Sequence, residues 1–234
     1  MALILSIETA TQVCSVALHS QGKLLGCQEL HLEKSHATHL AVMIEQLLTN
    51  CQLTPKDLSA VAVSKGPGSY TGLRIGVATA KGLCYGLEIP LIAVNTLSAM
   101  ACQFKSQLAR VDYFCPMLDA RRMEVYCMLL NQQYEVVLET HALVVDEGSF
   151  EQWRSLGKVL FFGDGSDKCR EILKGTNSIF VAGVKPSAKT IGVLAWDKYL
   201  DQQLEDLAYF EPFYLKEFRT TIPKNKSGIP NGAK

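Results

Sequence analysis

The sequence lacks an excess of charge of either sign, with 23 lysines and arginines against 23 aspartates and glutamates. Overall electrostatics therefore gives no reason to predict nucleic-acid binding. No run of about 18 apolar residues is present, so no membrane-spanning helix is predicted. The N-terminus has no basic region before Glu8 and is predicted to form a first strand, not a signal peptide. These absences indicate a cytoplasmic protein without a membrane segment.

Metal and disulfide signatures are also missing. The sequence has no C-x-x-C pair and no H-E-x-x-H motif; His36 and His39 lie three residues apart without a nearby third ligand, so no metal site is predicted. Dispersed cysteines inside apolar segments indicate buried thiols in a reducing compartment. The eight cysteines are at positions 14, 27, 51, 84, 102, 115, 127 and 169.

Sequence signatures of several catalytic classes are absent. No G-x-x-x-x-G-K-S/T phosphate loop and no G-x-G-x-x-G dinucleotide fingerprint occurs. A peptidase or regulator is the weakest of the hypotheses, because no G-x-S-x-G elbow is present and Ser69 has no nucleophile signature beside it. None of these motifs therefore assigns a catalytic residue to this chain.

The most informative segment is Gly66-Pro67-Gly68-Ser69-Tyr70-Thr71-Gly72-Leu73-Arg74-Ile75-Gly76. It follows an apolar run and predicts a strand, a tight turn and a helix in which Ser69 or Thr71 caps the first amides. Small residues then recur through Gly82, and each helical glycine costs about 0.5 to 1 kcal/mol against alanine. A close packing partner is therefore expected, either within the chain or in another molecule. Phosphate binding by the glycine-rich turn is the alternative interpretation.

The chain is long enough for two lobes of about 100 residues each, and 48% of its residues are hydrophobic. A pattern of three strands followed by helices and further strands occurs at residues 2–95 and again at 112–181. We predict an α/β fold with an N-terminal lobe at 1–106 and a C-terminal lobe at 107–218. Residues 219–234 contain four basic residues and no acidic one, and are predicted to be a disordered basic tail.

This duplicated plan resembles the actin, Hsp70 and sugar-kinase superfamily (ASKHA, RNase H-like), with a mixed sheet flanked by helices in each lobe. The resemblance implies that loops after the first strand of each half clasp ATP phosphates. In this chain, Ala10, Ala120 and the two arginines after it stand where glycines are expected. Such glycines would let a phosphate approach the backbone amides. A nucleotide-dependent kinase or ATPase remains the alternative function. Weak candidates for residual ligand binding are Glu8, Thr9, Asp119, Arg121, Gly163 and Gly165.

The resemblance is closer to one family. The segments 7–11, 14–18, 66–76, 119–126, 163–165 and 212–215 are similar to those of TsaB (YeaZ) proteins of bacterial tRNA threonylcarbamoyladenosine biosynthesis, and the likeness extends from residue 2 to about 216. Glu8 departs from the family pattern, where aspartate is usual. The helix after His36 departs from it as well.

The resemblance implies a noncatalytic subunit required for N6-threonylcarbamoyladenosine formation in tRNAs reading ANN codons. The subunit would pair with the catalytic TsaD, support the ATPase TsaE and form a homodimer when isolated, with tRNA bound only through the complex. No cofactor is expected in this chain alone, and ATP and a metal would belong to the partner subunits.

Two helices are predicted to form the partner-binding surface, since an apolar stripe and a thin flank of small residues suit helix packing between molecules. The predicted interface residues are His36, Leu40, Ile44, Leu47, Tyr70, Thr71, Gly72, Arg74, Ile75, Gly76, Ala78, Thr79 and Gly82.

Asp119, Arg121, Arg122 and Glu124 form a separate charged group. We interpret it either as an inter-lobe polar cluster of salt bridges or as an anion-binding patch on the cleft.

Overall fold

The computed structural model describes residues 2–32, 36–105 and 111–216. Three predictions from the sequence lie outside these residues: a cap at Ser35 for the helix that follows it, the lobe boundary at 106/107 and the tail at 219–234. Within the described part of the chain, no helix has the length and apolar character needed to cross a membrane.

The first half of the chain forms a five-stranded sheet with three helices. Its elements are β1 (Leu3–Glu8), β2 (Cys14–Ser20), β3 (Lys23–Leu30), α1 (His36–Asn50), β4 (Ala60–Gly66), α2 (Tyr70–Leu87), β5 (Leu91–Asn95) and α3 (Thr96–Cys102). The strand order is β3-β2-β1-β4-β5, in which β1 pairs antiparallel with β2 and parallel with β4. The core strand β1 is buried along its whole length, which explains its nearly continuous apolar sequence.

The second half forms a sheet of the same plan. Its elements are β6 (Tyr113–Asp119), β7 (Glu124–Asn131), β8 (Val136–Val144), α4 (Glu151–Leu156), β9 (Val159–Phe162), α5 (Asp164–Leu173), β10 (Ser178–Val181) and α6 (Ala188–Leu200). The strand order is β8-β7-β6-β9-β10, with β6 antiparallel to β7 and parallel to β9. The predicted duplication and the mixed sheet in each half are confirmed.

Two helices pack against the sheet of the opposite half. Leu97, Met100 and Phe104, in and just after α3, belong to a core cluster with residues of β6, β7 and β9. Ile191 and Ala195 of α6 pack instead against β1, β4 and β5. Ala99 of α3, in contrast, lies in the core cluster of the first sheet, so α3 contributes side chains to the cores of both sheets. These helix contacts do not test the predicted lobe boundaries.

Candidate functional site

Glu8 lies at the end of β1 and is completely buried. Its Oε1 accepts hydrogen bonds from the backbone N–H of Ala10 (2.6 Å) and from Oγ of Ser64 (2.9 Å). Its Oε2 has no hydrogen-bond partner among the described residues. Desolvation by burial raises the pKa of Glu8 from 4.5 to about 7, and the hydrogen bonds only partly oppose this shift. Glu8 is therefore an interior carboxyl group and presents no charge to a ligand in a cleft.

The turn at 66–69 closes directly over the loop that follows Glu8. The backbone N–H of Ser69 donates to the carbonyl oxygen of Ala10 at 2.6 Å. A Cβ atom on Gly68 would lie 2.4 Å from that oxygen, so only glycine permits this approach. Ser69 caps α2 by accepting a hydrogen bond from the Gly72 amide (3.3 Å), as predicted. Protein atoms, with Ala10 buried beneath them, thus fill the space next to the first loop.

The glycines early in α2 face the same loop. A Cβ atom on Gly72 would lie 2.1 Å from the carbonyl oxygen of Thr9, and one on Gly76 would lie 2.2 Å from Thr9 Oγ1. Both glycines and Thr9 are buried. Their small size is therefore required by packing within the chain, and neither glycine supplies exposed surface for a partner.

The apolar stripe of α1 is also internal. The side chains of Leu40, Ile44 and Leu47 lie in the core cluster that contains β1, β2 and β4, and His36 is buried. In the sequence, the apolar character of this stripe is a reason to predict partner binding. That reason is wrong, because the stripe covers the chain's own sheet. His39 is on an exposed part of the helix, and its Nδ1 lies 2.7 Å from Oγ1 of Thr38. Within the described ranges, no cluster of three potential metal ligands is found.

What remains of the predicted interface is the outer face of α2. Thr71, Arg74, Ala78 and Gly82 are exposed, and no atom lies within 4 Å of a Cβ built on Gly82. Tyr85 continues this face with 82% of its surface exposed. Tyr70, Ile75 and Thr79 are half-buried at its margins.

The turn that follows β6 is built differently from the first loop. Asp119 forms a salt bridge with Lys168 of α5, and its backbone N–H donates to Oδ1 of Asp164 (3.0 Å). Burial raises the pKa of Asp164. The Asp119 pKa is lowered: desolvation by burial raises it, but the hydrogen bonds from Lys168 and the Arg121 N–H, together with the charges of both residues, outweigh that effect. Arg121 and Arg122 both adopt left-handed backbone angles (φ 72° and 52°) and are exposed.

Gly163 and Gly165 are structural at the start of α5. Gly163 has φ 98°, and a Cβ on it would lie 2.2 Å from the carbonyl oxygen of Met117. A Cβ on Gly165 would lie 2.7 Å from the carbonyl carbon of Leu118. The two glycines form a strand-to-helix turn between β9 and α5, and both allow it to pack against β6.

The segment 205–216 was missed as a structural unit by sequence reasoning. It runs as a strap from the edge of the first sheet, where Glu205 pairs with Leu91, to the turn of the second half. On the way, the backbone N–H of Phe213 donates to the Lys65 carbonyl oxygen (2.7 Å), and the ring of Tyr214 packs 4.8 Å from that of Tyr70. The motif Pro212-Phe213-Tyr214-Leu215 was a sequence signal for this segment, but its contacts are with residues distant in sequence.

Comparisons of the sequence with known proteins point to one family. A family profile described as "TsaD: tRNA N6-adenosine threonylcarbamoyltransferase" matches residues 30–224. Curated relatives named "tRNA threonylcarbamoyladenosine biosynthesis protein TsaB" include that of Escherichia coli K12, 31% identical over 221 residues, with 91% of this chain and 94% of that protein covered. The Bacillus subtilis 168 relative is 32% identical, with 73% and 75% covered. The Haemophilus influenzae relative is 35% identical over 65% of this chain, and the match spans 61% of that protein.

Solved structures give the same result for the fold. A Pseudomonas aeruginosa protein described as similar to peptidase YEAZ superposes with a TM-score of 0.81 at 25% identity, covering 92% of this chain and all of the other. An activator of 2-hydroxyisocaproyl-CoA dehydratase from Clostridium difficile superposes with a TM-score of 0.50 at 12% identity, covering 86% and 96%. That likeness concerns the fold alone. The predicted actin-like (ASKHA, RNase H-like) fold is confirmed.

Proposed function

The chain belongs to the TsaB family, which acts in the threonylcarbamoyladenosine modification of tRNA, and we propose that it is a noncatalytic subunit of the modifying assembly. It pairs with TsaD, which carries out the transfer, and it supports TsaE. The tRNAs that are modified are those that read ANN codons. ATP and any metal belong to these partners, and the assembly works in the cytoplasm.

The packing of the turn at 66–69 onto Ala10 carries the noncatalytic part of this proposal. In this fold a nucleotide needs backbone amides that its phosphates can approach, and side chains with a Cβ atom hinder that approach. Here Ala10 is buried under Gly68 and Ser69. Glu8, the acidic residue nearest to this loop, is enclosed with its hydrogen bonds directed to Ala10 and Ser64. These loops do not fit a triphosphate, which argues against the kinase or ATPase alternative.

Reconstitution tests the proposed function. The purified chain, TsaD and TsaE of the same genome, an enzyme that supplies threonylcarbamoyl adenylate, and a tRNA transcript are combined, and the modified nucleoside is quantified by mass spectrometry after digestion. Omitting the chain should reduce modification to background, and the chain alone should hydrolyse no ATP. Full modification without the chain would refute the proposed role. ATP turnover by the chain, abolished in Glu8→Ala, would instead support the alternative.

The outer face of α2 is the proposed docking surface for TsaD, and for a second copy of the chain in its absence. Thr71, Ala78 and Gly82 give this face little bulk, while Arg74 and Tyr85 add an exposed cation and an exposed aromatic side chain at its ends. A helix with small exposed side chains lets another helix approach closely. Self-pairing through the same face would be isologous and would compete with the heterodimer.

Ala78→Arg is expected to weaken pairing with TsaD about thirtyfold or more, because a long cation would stand in the centre of the interface. The monomer should stay folded, since Ala78 is exposed. Pairing is measured by isothermal titration calorimetry and folding by circular dichroism. Gln152→Arg on the exposed side of α4 is the matched control and should leave pairing unchanged. Wild-type affinity in Ala78→Arg would place the interface elsewhere.

A further inference from the structure

The strap 205–216 runs along one flank of α2 and is held there by several contacts. Nζ of Lys81, on α2, donates to the carbonyl oxygens of Ala208 (3.3 Å) and Phe210 (3.1 Å). The side chains of Leu207 and Phe210 pack against the core cluster of the first sheet. Since polar and apolar contacts both hold the strap, its outward side chains are positioned relative to the helix.

The strap joins the outer face of α2 near the start of the helix. The ring centroid of Tyr214 lies 4.8 Å from that of Tyr70. The Arg74 guanidinium group lies over the Tyr70 ring at 5.2 Å from its centroid and donates a hydrogen bond to the Tyr70 hydroxyl oxygen (3.0 Å). Because Arg74 belongs to the outer face of α2, this stack makes the strap and that face one continuous surface.

Exposed aromatic side chains are concentrated on the strap. Tyr209 has 85% of its surface exposed, Phe213 has 40% and Tyr214 has 37%. Together with Lys65 and further strap residues they line an open cavity of about 600 Å³. Large apolar groups that are exposed together are typical of interaction surfaces, and tyrosine is among the residues that contribute most to binding energy at protein interfaces. The strap therefore has the composition of a docking surface.

The outer face of α2 is too small by itself for a stable complex. The helix has 18 residues, so it is about 27 Å long and about 10 Å wide, and one face offers about 300 Å². Stable interfaces bury about 800 Å² on each partner. A stable docking surface therefore extends onto a neighbour of α2. Helix α1 also packs against α2, but within its described range Val42 is its one large apolar side chain that is exposed, whereas the strap offers three aromatic rings.

We propose that the strap is the second part of the docking surface, and that TsaD contacts Tyr209, Phe213 and Tyr214 together with the outer face of α2. This inference rests on the proposed function for the identity of the partner. The part of TsaD that meets the strap is expected to be apolar, with side chains that pack against the aromatic rings and enter the cavity beside Lys65. The aromatic rings would then be the anchors of the complex, as buried tyrosines often are at interfaces.

Isothermal titration calorimetry with purified TsaD tests the surface. Tyr209→Ala should weaken pairing about tenfold or more, because it removes a large aromatic contact. Tyr209→Phe should retain most of the affinity, because it keeps the ring. Both variants should have the wild-type circular dichroism spectrum and urea midpoint, since the Tyr209 side chain is exposed and the bonds from Lys81 reach other residues of the strap.

Leu156→Ala is the matched control, because Leu156 is 70% exposed and lies on α4, outside the proposed surface. It should pair with TsaD like the wild type. In addition, p-benzoylphenylalanine in place of Tyr209 should crosslink to TsaD under ultraviolet light, and in place of Leu156 it should not. Wild-type affinity in Tyr209→Ala, or a crosslink from position 209 only to a second copy of the chain when TsaD is present, would overturn the inference. Both results are distinct from full modification without the chain, which would refute the proposed function.

Discussion

Gly72→Ala is expected to lower the free energy of unfolding by about 3 kcal/mol, although alanine is the better helix former by about 1 kcal/mol. The added Cβ would lie 2.1 Å from the carbonyl oxygen of Thr9, which is backbone and buried. Neither the helix nor the loop can move apart without disturbing the contacts of Ala10 with Gly68 and Ser69. Urea denaturation followed by circular dichroism measures the loss.

Gly82→Ala provides the matched control on the same helix. No atom lies within 4 Å of the Cβ it would add, so only helix propensity should act and stability should rise by about 0.5 to 1 kcal/mol. A loss of stability in Gly72→Ala together with a gain in Gly82→Ala would show that packing constrains the first half of α2. A gain of stability in Gly72→Ala would contradict the close approach of Thr9.

Glu8→Gln is expected to change how stability depends on pH. The Glu8 pKa is about 7 in the folded protein and 4.5 as its ordinary value, so the folded state binds more protons between these values. The free energy of unfolding therefore decreases as pH rises through this window, by about 3 kcal/mol from this group alone. Glutamine cannot ionise and should remove this loss. The free energy of unfolding of the variant should therefore exceed that of the wild type by about 3 kcal/mol at pH 8.5 and equal it near pH 4.

The substitution preserves the contacts that the structure shows for Glu8. The side-chain oxygen of glutamine can still accept from Ala10 and Ser64, and its NH2 group takes the place of Oε2, which has no partner among the described residues. Ser64→Ala, which removes one of these bonds, should steepen the pH dependence. Denaturation midpoints between pH 4 and 9 provide the measurement. Parallel pH profiles for the wild type and Glu8→Gln would mean that burial does not shift the Glu8 pKa from its ordinary value.

Much of the fold could be predicted from local sequence patterns. Alternation and apolar runs located the strands, and Ser69 with the glycine-proline turn marked the start of α2, because capping and turn formation depend on neighbouring residues. The local pattern after Thr96 predicts a helix to about Lys105, whereas α3 ends at Cys102. The interface was less predictable: Gly72 and Gly76 had the small size expected of a docking surface, but burial decides whether a glycine faces a partner or the chain's own Thr9.

The sequence by itself determined the duplicated order of strands and helices, the caps and turns, and the family, since each depends on residues close together in the chain. Only the tertiary structure decided which helix covers which sheet, that Glu8 is enclosed, and that Lys168 and Lys216 neutralise Asp119 and Glu124 and leave two arginines exposed. The side chains that enclose Glu8 or form these two ion pairs come together from positions 49 to 92 residues apart. Burial and charge pairing arise between such groups only after the chain has folded, and no local pattern encodes them.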